Sequence, residues 1–579
     1  MYCQIETLRR CFPASIRRTL DELPETLDGT YEQTLQGIDK QKRDYAYRLL
    51  QCLVISKRPL RVEELAELFA IQPSVETTPT FDASLRPENP EEFVLSACST
   101  LVTVVNHNRQ KVVQFSHFSV REYLTSHRIA ISNHVSRFHI LPRPAHALLA
   151  TSCLSVLLQL DVLVDKNKIR NFPLALYAAQ YWVDHAQFEN VSSDIKYEME
   201  CLFDKNKPHF ATWLRIYNMD DPGSTPRHST PHPVPLYYAA LCGFRDIAEH
   251  LLDAHPRDIN ARGGRLVTPL YAALETGHSN VAKLLVEHGA DVESLNHRSQ
   301  TPLHIASYRG YTEVATLLID RGADINAEFY RETPLDFAFK RGHRDVFQLL
   351  LDHGANANRS DNVGKTLLHR AFESGRDDDF WLLLDHGANA NRPDNDGKAL
   401  LHRAFESGRD DVFRYLLDHD ADANHPDNRG LTTLHLASQS GHEEIVQLLL
   451  GYGVDINRRD NRSLSPLHHA SMGGLNGTVQ LLLNHGADVN LPGNRGLTAL
   501  HHASLRGLND TIRLLLDHGA DKNRRDNRGG TALHHASLWG LNDVVQLLID
   551  HSGVASCPEK SVLTPLHNRQ VAHHRDNRG

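Results

Sequence analysis

From about residue 233 to the C-terminus, apolar and polar positions repeat one pattern with a period of about 33 residues. Within a copy, apolar residues stand three and four positions apart, as Val314, Leu317 and Leu318 do, which predicts a short helix with one buried face. The marker of the pattern is a leucine that recurs after 34, 33 and 32 residues and then at seven intervals of 33. Its positions are Leu236, Leu270, Leu303, Leu335, Leu368, Leu401, Leu434, Leu467, Leu500, Leu533 and Leu566. Short helices cannot bury such faces alone, so we expect neighbouring copies to stack.

Residues with special backbone chemistry mark the ends of the predicted helices. In the clearest copy, Thr301 can cap the first helix, Pro302 suits its first position, and Gly322 suits a left-handed residue after the second helix. Asp-Asn-Arg-Gly runs, such as residues 526–529, have the chemistry of turns. The Thr-Pro-Leu-His-x-Ala motif at residues 301–306 and the period of 33 resemble ankyrin repeats, each of which is a turn and a helix pair.

The boundaries of the copies follow from this template. We expect ten full copies at residues 231–264, 265–297, 298–329, 330–362, 363–395, 396–428, 429–461, 462–494, 495–527 and 528–560, and a truncated eleventh at 561–579. The eleventh is roughly 16 residues short, so we expect the tail to fray and a protease to cut it before copies five to nine. Asp420, where other copies have glycine, is a second expected weak point and costs about 1 kcal/mol.

The first 230 residues predict a different, mostly helical arrangement. Helices over residues 44–54, 62–70 and 91–99 precede two strand-like runs, 101–105 and 111–115, which is a winged-helix plan. We divide this part into remnant helices (1–40), a winged-helix-like domain (41–130), a helical spacer (131–218) and a linker (219–235). The predicted fold class is therefore all-α: an ankyrin solenoid preceded by a winged-helix and helical domain.

Several short segments in this part carry a resemblance to a known family. Residues 3–9, 23–27, 58–65 and 117–124 resemble the segment that follows the nucleotide-binding core in fungal NACHT–ankyrin proteins, which belong to the STAND class of signalling NTPases. Residues 177–185 are similar to the helical spacer that usually comes next. The resemblance implies an ATPase upstream, an ATP-driven switch, and repeats that sense a ligand.

In related proteins the histidine of the motif at His117 contacts bound ADP, so that role would fall on His117. The sequence has no G-x-x-x-x-G-K-[ST] loop, because Arg359 stands where the first glycine before Gly364 should be. We therefore expect the chain to begin after the ATPase, to bind no cofactor, and to keep His117 only as a vestigial nucleotide contact.

Composition and charge narrow the possible binding partners and the location of the protein. A net charge of −9 and a pI near 6.5 give no electrostatic footprint for nucleic acid or an anionic membrane. The helix predicted to enter a DNA groove carries Glu91 and Glu92 and no arginine or lysine. Eight cysteines without a CxxC pair indicate neither zinc nor a disulfide framework, so we expect reduced thiols and a cytoplasmic, or possible nuclear, location. We expect no signal peptide, and we interpret the apolar window at 146–164 as a buried helix.

The chain has 37 histidines, which at first suggest metal binding or catalysis. Eight occupy the His slot of the repeat motif, where the ring is expected to form a local hydrogen bond: His304, His369, His402, His435, His468, His501, His534 and His567. His469, His502 and His535 form a second column, which we interpret as a surface row. No cysteine or carboxylate joins them at ligand spacing and no nucleophile motif is present, so we predict no metal site and no catalytic residue.

Ankyrin proteins usually bind partners with the turn tips and the C-terminal ends of the first helices, along the concave face. The turn tips give Arg429, Arg462, Arg495 and Arg528. The helix ends give Tyr308, Arg309, Lys340, Arg341, Met472, Leu505, Arg506, Leu538 and Trp539. Trp539 beside the arginines has the composition of a binding hot spot. The alternative is that Asn-Arg is a template residue copied by duplication and that Trp539 covers a neighbour.

We therefore predict a non-catalytic scaffold or recognition module that binds a protein partner, without nucleic acid, membrane or metal. The alternative hypothesis is a sensor fragment of an ATP-switched NACHT signalling protein that acts in non-self recognition or programmed cell death.

Overall fold

The computed structural model describes residues 26–72, 80–160, 169, 171–220 and 234–551. The chain divides into two compact units, residues 1–356 and 357–579, and each is described by itself. The predictions for residues 1–25 and for the truncated eleventh copy lie outside the described residues.

A winged helix opens the first unit, as predicted. It contains α1 (Leu27–Gln36), α2 (Arg43–Ile55), β1 (Leu60–Arg61), α3 (Val62–Glu67), β2 (Ile71–Gln72), β3 (Thr80–Phe81), α4 (Pro90–Cys98), β4 (Val102–His107), β5 (Gln110–Phe115), α5 (Phe118–Thr125) and α6 (His127–Ala130). The antiparallel sheet has the order β1-β5-β4, and Val104 pairs with Val113. Asn108 and Arg109 take positive φ angles and form the tip of the wing. The pattern missed β1, because a two-residue strand shows no alternation.

The helical spacer follows and is built around aromatic side chains. Its helices are α7 (Pro142–Leu157), α8 (Ala175–Ala186), α9 (Val191–Asp194), α10 (Lys196–Phe203) and α11 (His209–Ile216). Trp182 and Trp213 are fully buried, with ring centroids 5.3 Å apart. The apolar window predicted as a buried helix at residues 146–164 lies in α7 as far as Leu157, and Leu149 and Leu154 there have no exposed surface. Residues 161–164 of the window lie outside the described residues.

Residues 234–551 form ten helix pairs, numbered here as copies 1 to 10. The first helices are α12 (Pro235–Cys242), α14 (Pro269–Thr276), α16 (Pro302–Arg309), α18 (Pro334–Arg341), α20 (Leu367–Glu373), α22 (Leu400–Ser407), α24 (Thr433–Ser440), α26 (Pro466–Gly473), α28 (Ala499–Arg506) and α30 (Ala532–Leu538). The second helices are α13 (Arg245–Ala254), α15 (Ser279–Glu287), α17 (Thr312–Asp320), α19 (Arg344–Asp352), α21 (Asp377–Asp385), α23 (Asp410–Asp418), α25 (Glu443–Gly451), α27 (Asn476–Asn484), α29 (Asn509–Asp517) and α31 (Asn542–Asp550). Copies 1–4 lie in the first unit and copies 5–10 in the second.

The predicted local hydrogen bond of the motif histidine is confirmed, and a second hydrogen bond from the same ring accompanies it. In copy 7, Nδ1 of His435 lies 2.9 Å from the hydroxyl of Thr432 and accepts the backbone N–H of that residue at 3.1 Å. Its Nε2 lies 3.2 Å from the carbonyl oxygen of Leu464 in copy 8. In copies 3, 7, 8 and 9 the ring therefore caps its own helix and also ties that helix to the next copy. In copy 5 the Nε2 of His369 has no such partner, and in copy 6 the Nδ1 of His402 has no cap to bind, because Ala399 replaces the threonine.

Side-chain amides provide another link between copies. In the second unit, the Oδ1 of Asn424 accepts the backbone N–H of Asp455 at 2.9 Å, and that of Asn457 accepts the N–H of Asp488 at 2.8 Å. Asp420 takes a left-handed backbone, with φ of 59°, as its place in the template predicted.

Candidate functional site

The turns of copies 6, 7, 8 and 10 are each organised by one buried aspartate. In copy 8, Asp460 is 7% exposed, and its Oδ1 accepts the backbone N–H groups of Arg462 and Leu464, both at 2.8 Å. Burial alone would raise the pKa of Asp460, but hydrogen bonds from Leu464 and His469 outweigh it, and the pKa lies below its usual value. The aspartate is thus a structural anion that holds the turn.

Adjacent turns are connected through their backbones. The N–H of Asn461 donates to the carbonyl oxygen of Arg429 at 3.0 Å, and the N–H of Asn494 donates to that of Arg462 at 3.2 Å. The N–H of Asn527 continues the series to Arg495 at 2.8 Å. Because each arginine carbonyl is held by the next copy, the backbone positions of these arginines are fixed relative to one another.

We call Arg429, Arg462, Arg495 and Arg528 the turn row. All four side chains are exposed. Arg429 forms an ion pair with Asp427, with an Nε–Oδ2 distance of 3.3 Å. Among residues 357–551, the side chains of the other three contact no carboxylate. The turn row therefore presents guanidinium groups to solvent at a spacing set by the fold.

A second set lies at the other end of the first helices of copies 8–10. Met472, Leu505, Arg506, Leu538 and Trp539 form what we call the helix-end row. Leu538 is 80% exposed and Trp539 is 67% exposed. Trp539 does not lie beside the arginines of the turn row, although the sequence predicted that it would. Helix α30 lies between Trp539 and Arg528, and its seven residues separate the two by about 10 Å at 1.5 Å per residue.

The remaining predicted residues lie in the first unit. Tyr308, Arg309, Lys340 and Arg341 are at the ends of α16 and α18. The guanidinium of Arg341 lies 4.0 Å from the ring centroid of Tyr308 and also bonds its hydroxyl. Arg309 donates to the carbonyl of Glu275 at 2.5 Å, and Lys340 pairs with Glu332. All four side chains are thus already engaged with neighbouring side chains or backbone.

The second histidine column is not the surface row predicted from the sequence. The side chain of His469 is only 10% exposed, and its Nε2 lies 3.0 Å from the buried carboxylate of Asp460. His535 and Asp526 form the same pair at 2.8 Å. In copy 9, Gly493 replaces the aspartate, and the buried Nε2 of His502 has no hydrogen-bond partner.

The pKa of His502 is lowered, as expected for a buried ring without a carboxylate partner. Burial, followed by the neighbouring His501 and Arg506, lowers the pKa of His502 to about 4. The ring is therefore neutral at pH 7 and serves packing.

His117 does not form a nucleotide site with the described residues around it. Its exposed ring caps α5: Nδ1 accepts the N–H of Ser119 at 3.3 Å and lies 2.6 Å from the Ser119 hydroxyl. Phe118 beside it is 70% exposed. Among the described residues, one exposed imidazole without a phosphate-binding loop does not fit a bound nucleotide.

In the described part of the chain, no cluster of three or more histidines, cysteines, aspartates or glutamates is arranged to hold a metal ion. The five cysteines of this part are free thiols. Across the same residues, no helix combines the length and apolarity needed to cross a bilayer.

Two exposed arginines beside the turn row were missed by the sequence analysis. Arg459 and Arg525 are exposed and immediately precede the turn aspartates of copies 8 and 10. The signal was available, because Arg458-Arg459 and Arg524-Arg525 are doublets at equivalent template positions.

The fold, the capping histidines and the linked turns together define an ankyrin-repeat protein. The family described as "Ankyrin repeats (3 copies)" matches residues 236–329, 327–394, 382–460 and 467–560, which is more than half of the chain. The chain belongs to the ankyrin-repeat family. The family described as "GPI inositol-deacylase, winged helix domain" matches residues 31–138. This NACHT-associated domain before an ankyrin array confirms the resemblance to NACHT–ankyrin proteins.

One curated relative gives a further comparison. The "Azaphilone pigments biosynthesis cluster protein L" of Monascus ruber is 33% identical over 285 residues, which cover 46% of this chain and 59% of that protein. The chain thus spans about three fifths of the length of this relative.

Proposed function

We propose that the protein is a recognition scaffold that binds a protein partner with the turn row and the helix-end row of copies 7–10. Ankyrin repeats are non-catalytic interaction modules, and the array supplies more than half of the chain. The observation that supports this surface is the combination of guanidinium groups without carboxylate partners and a tryptophan that is 67% exposed. Arginine and tryptophan are the residue types enriched where binding energy concentrates. We place the protein in the cytoplasm or nucleus.

The four predicted residues of the first unit extend this proposal to copies 3 and 4. Tyr308 and Arg341 form a stacked pair, which holds both side chains in place. A pre-ordered pair loses less side-chain entropy on binding than two free side chains do. We propose that this pair contributes to partner binding independently of copies 7–10.

The experiment selects binders from a random peptide display library on the full chain and maps them with surface variants. Trp539→Ser is expected to weaken the selected peptides about thirtyfold, the loss typical of a hot-spot residue. The matched control is Ile549→Ser on α31, which removes a comparably exposed apolar side chain (49%) from the second helix of the same copy. Peptides that tolerate Trp539→Ser but are lost with Ile549→Ser would contradict the proposed surface.

A second candidate function is favoured by the winged-helix match: the chain is the sensor part of an ATP-switched NACHT protein of the STAND class. In this hypothesis the repeats bind the ligand and the winged helix transmits the signal. Incubating the purified chain with ATP tests the scaffold proposal, because a chain without the phosphate-binding loop should not hydrolyse ATP. The scaffold proposal expects no hydrolysis above buffer, and turnover by the chain would overturn it in favour of the sensor.

A further inference from the structure

Charge is segregated along copies 7–10 in a way that the whole-chain value of −9 conceals. The four turn segments 424–431, 457–464, 490–497 and 523–530 contain eight arginines and three aspartates, a net charge of +5. Those three aspartates, Asp427, Asp460 and Asp526, are 6–8% exposed and are occupied by backbone N–H groups. Within these four segments, every exposed charged side chain is therefore an arginine. The exposed aspartates two residues before the segments each accept a backbone N–H two residues further on: Asp422, Asp455, Asp488 and Asp521.

The adjoining first helices contain no carboxylate at all. Helices α24, α26, α28 and α30 carry no aspartate or glutamate, whereas the second helices of copies 7, 9 and 10 do and α27 of copy 8 does not. The acidic residues of those second helices are Glu443, Glu444, Asp510, Asp517, Asp543 and Asp550. Copies 5 and 6 also differ, since Glu373 and Glu406 end their first helices. Positive charge without compensating carboxylates is thus confined to one face of copies 7–10.

We infer that the turn row of copies 7–10 binds an extended acidic polypeptide segment that places one carboxylate against each successive arginine. This inference rests on the proposed function and specifies its partner. Packed helices lie about 8–10 Å apart, so successive turn arginines are separated by a similar distance. An extended chain advances about 3.3 Å per residue, and a carboxylate at every third residue therefore matches that spacing.

The helix-end row, at the far end of the first helices from the turn row, favours a polypeptide over a nucleic acid. Across the first helices from the arginines, the helix-end row presents Met472, Leu505, Leu538 and Trp539. Apolar side chains of a polypeptide fit such a flank, whereas single-stranded nucleic acids are usually held in a continuous basic groove. The backbone links between turns also fix the arginines before binding, which limits the entropy lost on association.

The test measures binding of two labelled 15-residue peptides of identical composition to the full chain by fluorescence anisotropy. One peptide has glutamate at every third position, and in the other the same residues are permuted so that no such period remains. We expect the periodic peptide to bind at least tenfold more tightly, with an affinity that falls as salt rises. Arg462→Gln and Arg528→Gln should each weaken it about threefold.

The control variant is Arg513→Gln, which makes the same charge change at an exposed position of α29 on the second-helix side and should leave the affinity unchanged. Equal affinities for the two peptides, or equal effects of the three variants, would overturn the inference. Tighter binding of a 15-nucleotide single-stranded DNA would overturn it in favour of a nucleic acid. After any of these outcomes, the proposed function would still hold if peptides of other chemistry from the display library still need Trp539 for binding.

Discussion

At the scale of single residues, the array shows how one substitution changes the role of its neighbour. His469 and His502 occupy the same template position, one copy apart. The Nε2–H of His469 donates to the carboxylate of Asp460, but copy 9 has Gly493 in place of that aspartate, and His502 keeps a buried ring nitrogen without a partner. Copy 7 has Leu436 at this position, only 9% exposed, so the site also accepts an apolar side chain.

This comparison predicts opposite outcomes for the same substitution. His469→Leu should lower the free energy of unfolding of the second unit by about 1–2 kcal/mol, because Asp460 would stay buried without that partner. His502→Leu should be neutral or slightly stabilising, because no hydrogen bond is lost. Urea unfolding followed by circular dichroism measures both. If the two variants were equally destabilised, the pairing with Asp460 would have no energetic value.

At the scale of the element, the turn between two copies needs one residue that has a left-handed backbone and also lies in close contact with the next turn. Gly430 has φ of 79°, and a Cβ at this position would lie 2.6 Å from the backbone nitrogen of Asn461. In copy 8 the equivalent residue is Ser463, which has φ of 58°. The hydrogen bond from Asn494 to Arg462 beside it is 3.2 Å long, against 3.0 Å for the one from Asn461 to Arg429.

Ser463→Gly is therefore expected to raise the free energy of unfolding of the second unit by about 1 kcal/mol, because the strain of a left-handed serine is removed. Gly430→Ser, the reverse change in the preceding turn, should lower it by more than about 1 kcal/mol because strain and the contact with Asn461 add. The urea midpoint of each variant measures the change. A stabilised Gly430→Ser variant would contradict the role assigned to the turn.

Features within one copy could be predicted from the sequence, whereas contacts between copies could not. Helices, caps and the wing followed from periodicity and from residues such as Thr301 and Pro302, because these signals act within one copy. The bond from His435 to Leu464 and the burial of His469 were not predictable in this way. Both depend on the neighbouring copy, and a single-copy template treats such positions as surface. The separation of Trp539 from Arg528 was missed because residues close in sequence stand at opposite ends of α30.

At the scale of the whole molecule, buried neutral histidines recur throughout the array and the spacer. Burial lowers the pKa values of His435 and His468 to about 4, with neighbouring histidines as the next cause. In the spacer, His185 is fully buried, its Nδ1 is 2.9 Å from that of His146, and burial lowers its pKa to about 3. An unfolded histidine titrates near 6.5, so between about pH 4 and 6.5 the unfolded chain binds more protons than the folded chain.

Stability should therefore be fully present above about pH 6.5 and be lost progressively as the pH falls towards 4. Each such histidine is expected to lower the free energy of unfolding at pH 5 by about 1–2 kcal/mol, so the urea midpoint should drop clearly between pH 7.5 and pH 5. His435→Asn should be less stable at pH 7.5 yet show a flatter pH dependence, because it removes one of the protonating groups. His485→Asn, at an exposed position after α27, is the matched control and should keep the original slope. An unchanged slope in His435→Asn would mean that groups other than the slot histidines couple folding to pH.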